Sequence, residues 1–168
     1  MNHKFWNAGG GKPEDVTHVV KNAENVTIRA GVPVVYAFNG TDDGLAVVLP
    51  SSSTATNVTQ LTAGLVVKDI SPGKLGEVQV YGFFRKGLIA RATRAATNGN
   101  WGSMASLNLG SALGIDTTLN GLGSAAGVSI ADMAVVLAEN IASLPSLPSS
   151  AGSGTIYYQP AKVFLRFM

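Results

Sequence analysis

Valine-rich runs of period two, cut at short intervals by glycine and proline, fill the chain from Asn25 to Tyr81. That pattern constrains the fold more than any other feature. Val26, Ile28 and Ala30 alternate with Thr27 and Arg29, which reads as a half-buried strand. Val32 to Phe38 is a second run, with Val34, Tyr36 and Phe38 on one face and Val35 and Ala37 on the other. Pro33 cannot donate to a ladder, so this strand starts there or lies at an edge. Leu45 to Leu49 is a third run, stopped by Pro50, and Leu61 to Ile70 a fourth. Ser71-Pro72-Gly73-Lys74 carries proline and glycine at the two central positions of a type II turn. Glu77 to Tyr81 then alternates, with Val78 and Val80 inward. Short strands between turn signals roughly 8–12 residues apart predict a mainly β fold, a small barrel or a sandwich.

The flanks differ in texture. Residues 1–20 are polar and glycine-interrupted, with Phe5 and Trp6 as their bulky apolar side chains, and are expected to form an extended arm before a body of residues 21–168. Leu88 to Arg94 fits a strand better than a helix, because Gly82 and Gly87 punctuate its approach. Residues 99–154 are rich in glycine, alanine and serine. Within them Ser129-Ile130-Ala131-Asp132 resembles a capping box and predicts one short helix over Ile130–Ser143, ended by Pro145. Thr155 to Met168 closes as a strand, with Val163, Leu165 and Phe167 on one face and Lys162, Phe164 and Arg166 on the other.

Composition removes whole classes of chemistry. Cysteine is absent, which excludes disulfides, thiolate catalysis and cysteine-based zinc sites. His3 and His18 are the only histidines, too few for a His-rich metal site. No Gly-x-Ser-x-Gly elbow or Gly-x-x-x-x-Gly-Lys phosphate loop occurs, and Gly121 to Gly127 misses the dinucleotide fingerprint by one position. An enzyme is therefore not expected, and no cofactor is implied. No run of about 18 apolar residues is free of polar interruption, so no membrane span is expected. Charged residues make up 13% of the chain, against roughly 25% in ordinary globular proteins. So few charges predict a molecule that associates with neighbours rather than a highly soluble monomer.

The charges that exist are unevenly placed. Lys68, Lys74, Arg85, Lys86, Arg91 and Arg94 fall close together against Asp69 and Glu77. A solvated face is the plain reading, and contact with an acidic protein surface the functional one. The net charge of +2 is too mild for a strongly electrostatic nucleic-acid binder, so no direct nucleic-acid contact is expected. Aromatic side chains are favoured at interface cores. The candidate binding residues are accordingly Phe5, Trp6 and Lys12 of the arm, with Arg85, Lys86 and Arg91 of the basic stretch.

The stretch Ala30 to Gly82 also resembles a known family. The similarity lies in Ala30-Gly31-Val32-Pro33-Val34, in Asp43-Gly44-Leu45-Ala46-Val47-Val48-Leu49-Pro50, in Thr62-Ala63-Gly64-Leu65-Val66, and in Ser71-Pro72-Gly73-Lys74-Leu75-Gly76-Glu77-Val78-Gln79-Val80-Tyr81-Gly82. These resemble the capsid decoration (cement, head-stabilising) proteins of tailed bacteriophages, over about a third of the chain. The resemblance implies a small β-barrel body, an N-terminal arm and a homo-oligomer, a trimer before a dimer. It implies a place on the outer capsid surface of the virion after synthesis in the host cytoplasm, with the major capsid protein as partner. It brings no catalytic motif. The alternatives are a tail-tube or head-fibre component, or a small β-barrel ligand-binding module or enzyme.

Overall fold

The computed structural model describes residues 15–38, 42, 44–50, 62–92, 108–110, 112–116, 120–124, 134–141 and 156–167. These residues form one nine-stranded sheet: β1 (Val16–Asn22), β2 (Pro33–Tyr36), β3 (Ala46–Val48), β4 (Thr62–Val66), β5 (Leu75–Ala92), β6 (Ala112–Asp116), β7 (Gly121–Ser124), β8 (Ala134–Leu137) and β9 (Ile156–Arg166). The mainly β expectation holds.

Pairing returns on itself twice. The order β1-β3-β2-β4-β5 closes through an antiparallel β5–β1 ladder, and β5-β7-β6-β8-β9 closes through an antiparallel β9–β5 ladder. Strand β5 is 18 residues long and belongs to both rounds. Each round has its own cluster of buried side chains. Val20, Val34, Val47, Val66, Val78 and Val80 pack in the first. Leu113, Leu122, Leu137, Val163 and Leu165 pack in the second. Alternation decides which residues point inward, as Val78 and Val80, or Val163 and Leu165, illustrate. Val35, Ala37, Ala46 and Val48 form a third, smaller buried cluster on the opposite faces of β2 and β3.

Turn chemistry matches the sequence where it was explicit. Gly73 takes φ +69, and Lys74 N–H donates to Ser71 O at 3.1 Å, as the Pro72-Gly73 turn requires. Pro33 opens β2. Ile28 does not belong to a strand but makes one isolated bridge to Ile70. Its loop is instead tied down by Asn22, which is fully buried: Nδ2 donates to Val26 O at 2.9 Å and to Ile70 O at 2.8 Å, and Oδ1 accepts from Glu24 N at 2.8 Å. Satisfying those backbone groups with a side chain removes the need for a ladder there.

Two expectations are corrected. The segment expected to be a helix, Ile130–Ser143, contains β8: Ala134–Leu137 pairs with β6 on one side and β9 on the other. Val135 and Leu137 are buried while Val136 between them is half-buried, a period of two that the flanking alanines disguise. Residues 130–133 and 142–143 lie outside the described residues. The arm expected over residues 1–20 gives up its last five positions to β1, where Val16 to Val20 pair with Tyr81 to Gly76. Residues 1–14 lie outside the described residues. The Gly/Ala/Ser-rich stretch 99–154 supplies β6, β7 and β8.

Tyr36 gives a pH signature. Its hydroxyl lies 3.5 Å from His18 Nδ1, and burial raises its pKa above the ordinary tyrosine value. The unfolded chain therefore loses this proton at lower pH than the folded one. The associated stability is present below pH about 10 and lost as pH rises through the folded pKa. Tyr36→Phe is expected to remove that part of the alkaline loss, read as a shallower fall of the unfolding midpoint above pH about 10.

Candidate binding face

The basic stretch is not one patch in space. Lys74 precedes the start of β5 and Arg85 lies eleven residues further on, about 35 Å along an extended strand. The strand separates the cations that the sequence places together. Arg85 and Lys86 stand apart from the rest because they sit at a bulge. Phe84 pairs with Val163 and Gly87 with Ala161, so β5 carries one residue more than β9 across that step. Both side chains are exposed.

The bulge is backed from below by the 28–31 loop of the first round. Leu88 N–H donates to Gly31 O at 3.0 Å, and Gly31 N–H donates to Val66 O at 2.8 Å. Gly31 has φ +84, and a Cβ there would overlap the Lys86 carbonyl oxygen. Backbone thus lies directly on backbone, and the two cations project from a rigid support. Arg91 lies further along β5, opposite Tyr157 of β9. Phe5, Trp6 and Lys12 lie outside the described residues.

Strand β9 brings what the linear reading did not join to the bulge. Phe83 pairs directly with Phe164, and Tyr81 with Arg166, so these four share the outward face. The Phe83 and Phe164 rings meet edge-on with centroids 5.1 Å apart, and Tyr81 meets Phe164 at 5.5 Å. Lys162 Nζ stands 4.8 Å from the Phe83 ring centre, a cation–π contact. The Lys162 backbone N–H is fixed by Glu139 Oε1 at 2.7 Å. Phe83 remains 38% exposed. The alternation of residues 162–167 gave the outward face of β9, but its aromatic partners sit on β5, far away in sequence, and only the register joins them.

A polar group underneath holds this face in shape. Gly82 takes φ +98 where β5 passes from β1 to β9. Gln79, buried at that passage, donates from Nε2 to Tyr81 O at 3.0 Å and to Phe83 O at 3.2 Å. It also lies 3.4 Å from Asp15 Oδ1. One amide therefore serves the two carbonyls that flank the irregular glycine.

The assembled face suits protein recognition. It has aromatic rings at the centre with Arg85 and Arg166 beside them, residue types enriched where proteins meet, and Lys86 and Lys162 add to the positive charge. Among the described residues, no group of three or more His, Asp or Glu could hold a metal ion. Comparison with protein-family models and with curated proteins finds no match to this chain.

Proposed function

We propose that this chain is a structural virion protein that binds the outer capsid surface of a tailed bacteriophage and stabilises the assembled shell. The observation that carries the reading is the exposed Arg85–Lys86 bulge beside Phe83, seated on a hydrogen-bonded sheet. A ligand that recognises only the assembled lattice stabilises it by mass action, and many copies on a repeating surface add avidity. Such a ligand needs a stiff body and an exposed anchor, not a reaction centre. We read each closed round of strands as a small five-stranded barrel, which removes exposed sheet edges from a protein displayed at high local concentration. In this reading Arg85, Lys86 and Arg91 meet acidic groups of the major capsid protein, and Phe5, Trp6 and Lys12 extend the contact along the arm.

The test is co-sedimentation of the purified chain with expanded heads that lack decoration. Saturable binding is expected. Arg85→Glu with Lys86→Glu should weaken it by about tenfold or more, because reversed charge meets like charge on the shell. Deleting residues 2–14, which spares β1, should weaken it as well. Heads that fail to bind the wild-type chain overturn the proposal. Full binding by the charge-reversed chain overturns the assignment to the bulge.

A further inference from the structure

The two rounds of the sheet are one plan executed twice. In the first, β1 runs parallel to β3, and β3–β2, β2–β4, β4–β5 and β5–β1 are antiparallel. In the second, β5 runs parallel to β7, and β7–β6, β6–β8, β8–β9 and β9–β5 are antiparallel. Strand β5 ends the first unit and begins the second.

The registers coincide in the ladders on either side of the fourth strand of each unit, while the bulge of β5 against β9 has no counterpart in β1 against β5. Pro33↔Leu65 and Val34↔Gly64 correspond to Ala112↔Val136 and Leu113↔Val135. Leu65↔Gln79 and Val66↔Val78 correspond to Val136↔Phe164 and Leu137↔Val163. The turn before the second strand of each unit repeats too. Gly31, φ +84, donates to Val66 O at 2.8 Å, and Gly110, φ +86, donates to Leu137 O at 2.9 Å. One residue earlier, Ala30 N–H donates to Asp69 Oδ1 at 2.8 Å, and Leu109 N–H to Asn140 Oδ1 at 2.7 Å.

Equivalent positions on the outer faces have different fates. In the first unit, the Leu65–Gln79 pair is 0% and 6% exposed, and Leu65 packs into the core of the second unit. Its counterpart in the second unit, Val136–Phe164, is only half-buried and adjoins the exposed Phe83. The second unit covers the first, and no third unit follows among the described residues.

We infer that the first unit of a second copy of this chain covers the Val136–Phe164 face, so that copies associate head to tail. Charge favours that occupant. Residues 1–82 hold six Lys or Arg against seven Asp or Glu, and residues 83–168 hold six against three. The covering unit is slightly acidic and the face it covers is basic, with Lys162 and Arg166 on the same strand as Phe164. Such a contact joins two different surfaces, and it closes into a ring where the rotation permits. It does not depend on what the assembled protein decorates.

The experiment is sedimentation equilibrium of the full chain, alone and in mixtures. The wild type should associate, less so at high salt. Val136→Glu should weaken association by about tenfold or more, and because it leaves the Phe164 contacts with Phe83 and Tyr81 in place, a cooperative melting transition close to that of the wild type should be kept. The variant keeps its own first unit, so mixing it with wild type should cap growing assemblies and give mixed, smaller species. A monomeric wild type overturns the inference, as does a variant that associates as before. A variant that is monomeric but forms no mixed species shows that the face pairs with itself, which also overturns the head-to-tail assignment. Loss of shell binding with no change in association assigns the face to the shell and overturns it as well. Arg85 and Lys86 border the same aromatic rings, so the Arg85→Glu, Lys86→Glu chain should associate somewhat more weakly as well; because association is read without heads, its outcome stays distinct from that of shell binding.

Discussion

Gly31→Ala is expected to destabilise the fold by about 3 kcal/mol or more, measured as a fall in the urea midpoint. Two effects combine. A non-glycine residue at φ +84 costs about 1 kcal/mol. The new methyl would also overlap the Lys86 carbonyl oxygen, which is backbone and cannot swing aside. The loop must lift, and the hydrogen bonds Leu88 N–H to Gly31 O and Gly31 N–H to Val66 O are strained or lost, each worth about 1 kcal/mol. Gly44→Ala and Gly110→Ala are the controls. They also have positive φ, +77 and +86, but a Cβ there meets nothing within 4 Å. Each should cost about 1 kcal/mol, from the dihedral alone. Equal losses at all three positions would show that loop-on-bulge contact carries no weight.

Asn22→Ala should cost about 3 kcal/mol, for a different reason. It strips the side-chain partner from the Val26 carbonyl and the Glu24 N–H and one of two donors from the Ile70 carbonyl, which keeps Ile28 N–H, inside a site with no exposure of the side chain it removes. Asn22→Asp should be worse at neutral pH, since a carboxylate would face the same two carbonyl oxygens. Burial and those oxygens would raise its pKa in the folded state. The excess loss over Asn22→Ala should therefore be small below pH about 4, the unfolded value, and grow as pH rises. Chemical denaturation across pH 3 to 7 reads that divergence. A constant gap would mean that the site admits water.

The sequence was legible where one short signal acts alone. The Pro72-Gly73 turn, the start of β2 at Pro33, and the inward faces of β5 and β9 all follow from local chemistry. Ala134–Leu137 was illegible because a capping-type motif and the alanines in and beside a four-residue strand mimic a helix, and only the flanking β6 and β9 decide otherwise. Val26 to Ala30 alternates like a strand, yet its backbone is satisfied piecemeal: Val26 O takes the Asn22 amide, Ile28 bridges Ile70, and Ala30 N–H donates to Asp69 Oδ1. The candidate face was half visible. Arg85 and Lys86 are exposed as expected, but Phe164 and Lys162 join them only through the long register of β5 with β9. The repeat was hidden for a similar reason. Val34, Val66 and Val80 in the first core correspond to Leu113, Leu137 and Leu165 in the second, so burial is kept while side-chain identity changes.

Strand β5 being common property of both cores has a mechanical side. Two modules on a flexible tether would melt and rotate independently. Here the tether is itself eighteen residues of hydrogen-bonded wall, and neither interior survives its departure. Strain applied at the Pro72-Gly73 tip of the first module therefore reaches the second along the same strand, and Gly82 and the Phe84–Gly87 bulge are the two points on that route where the strand can give.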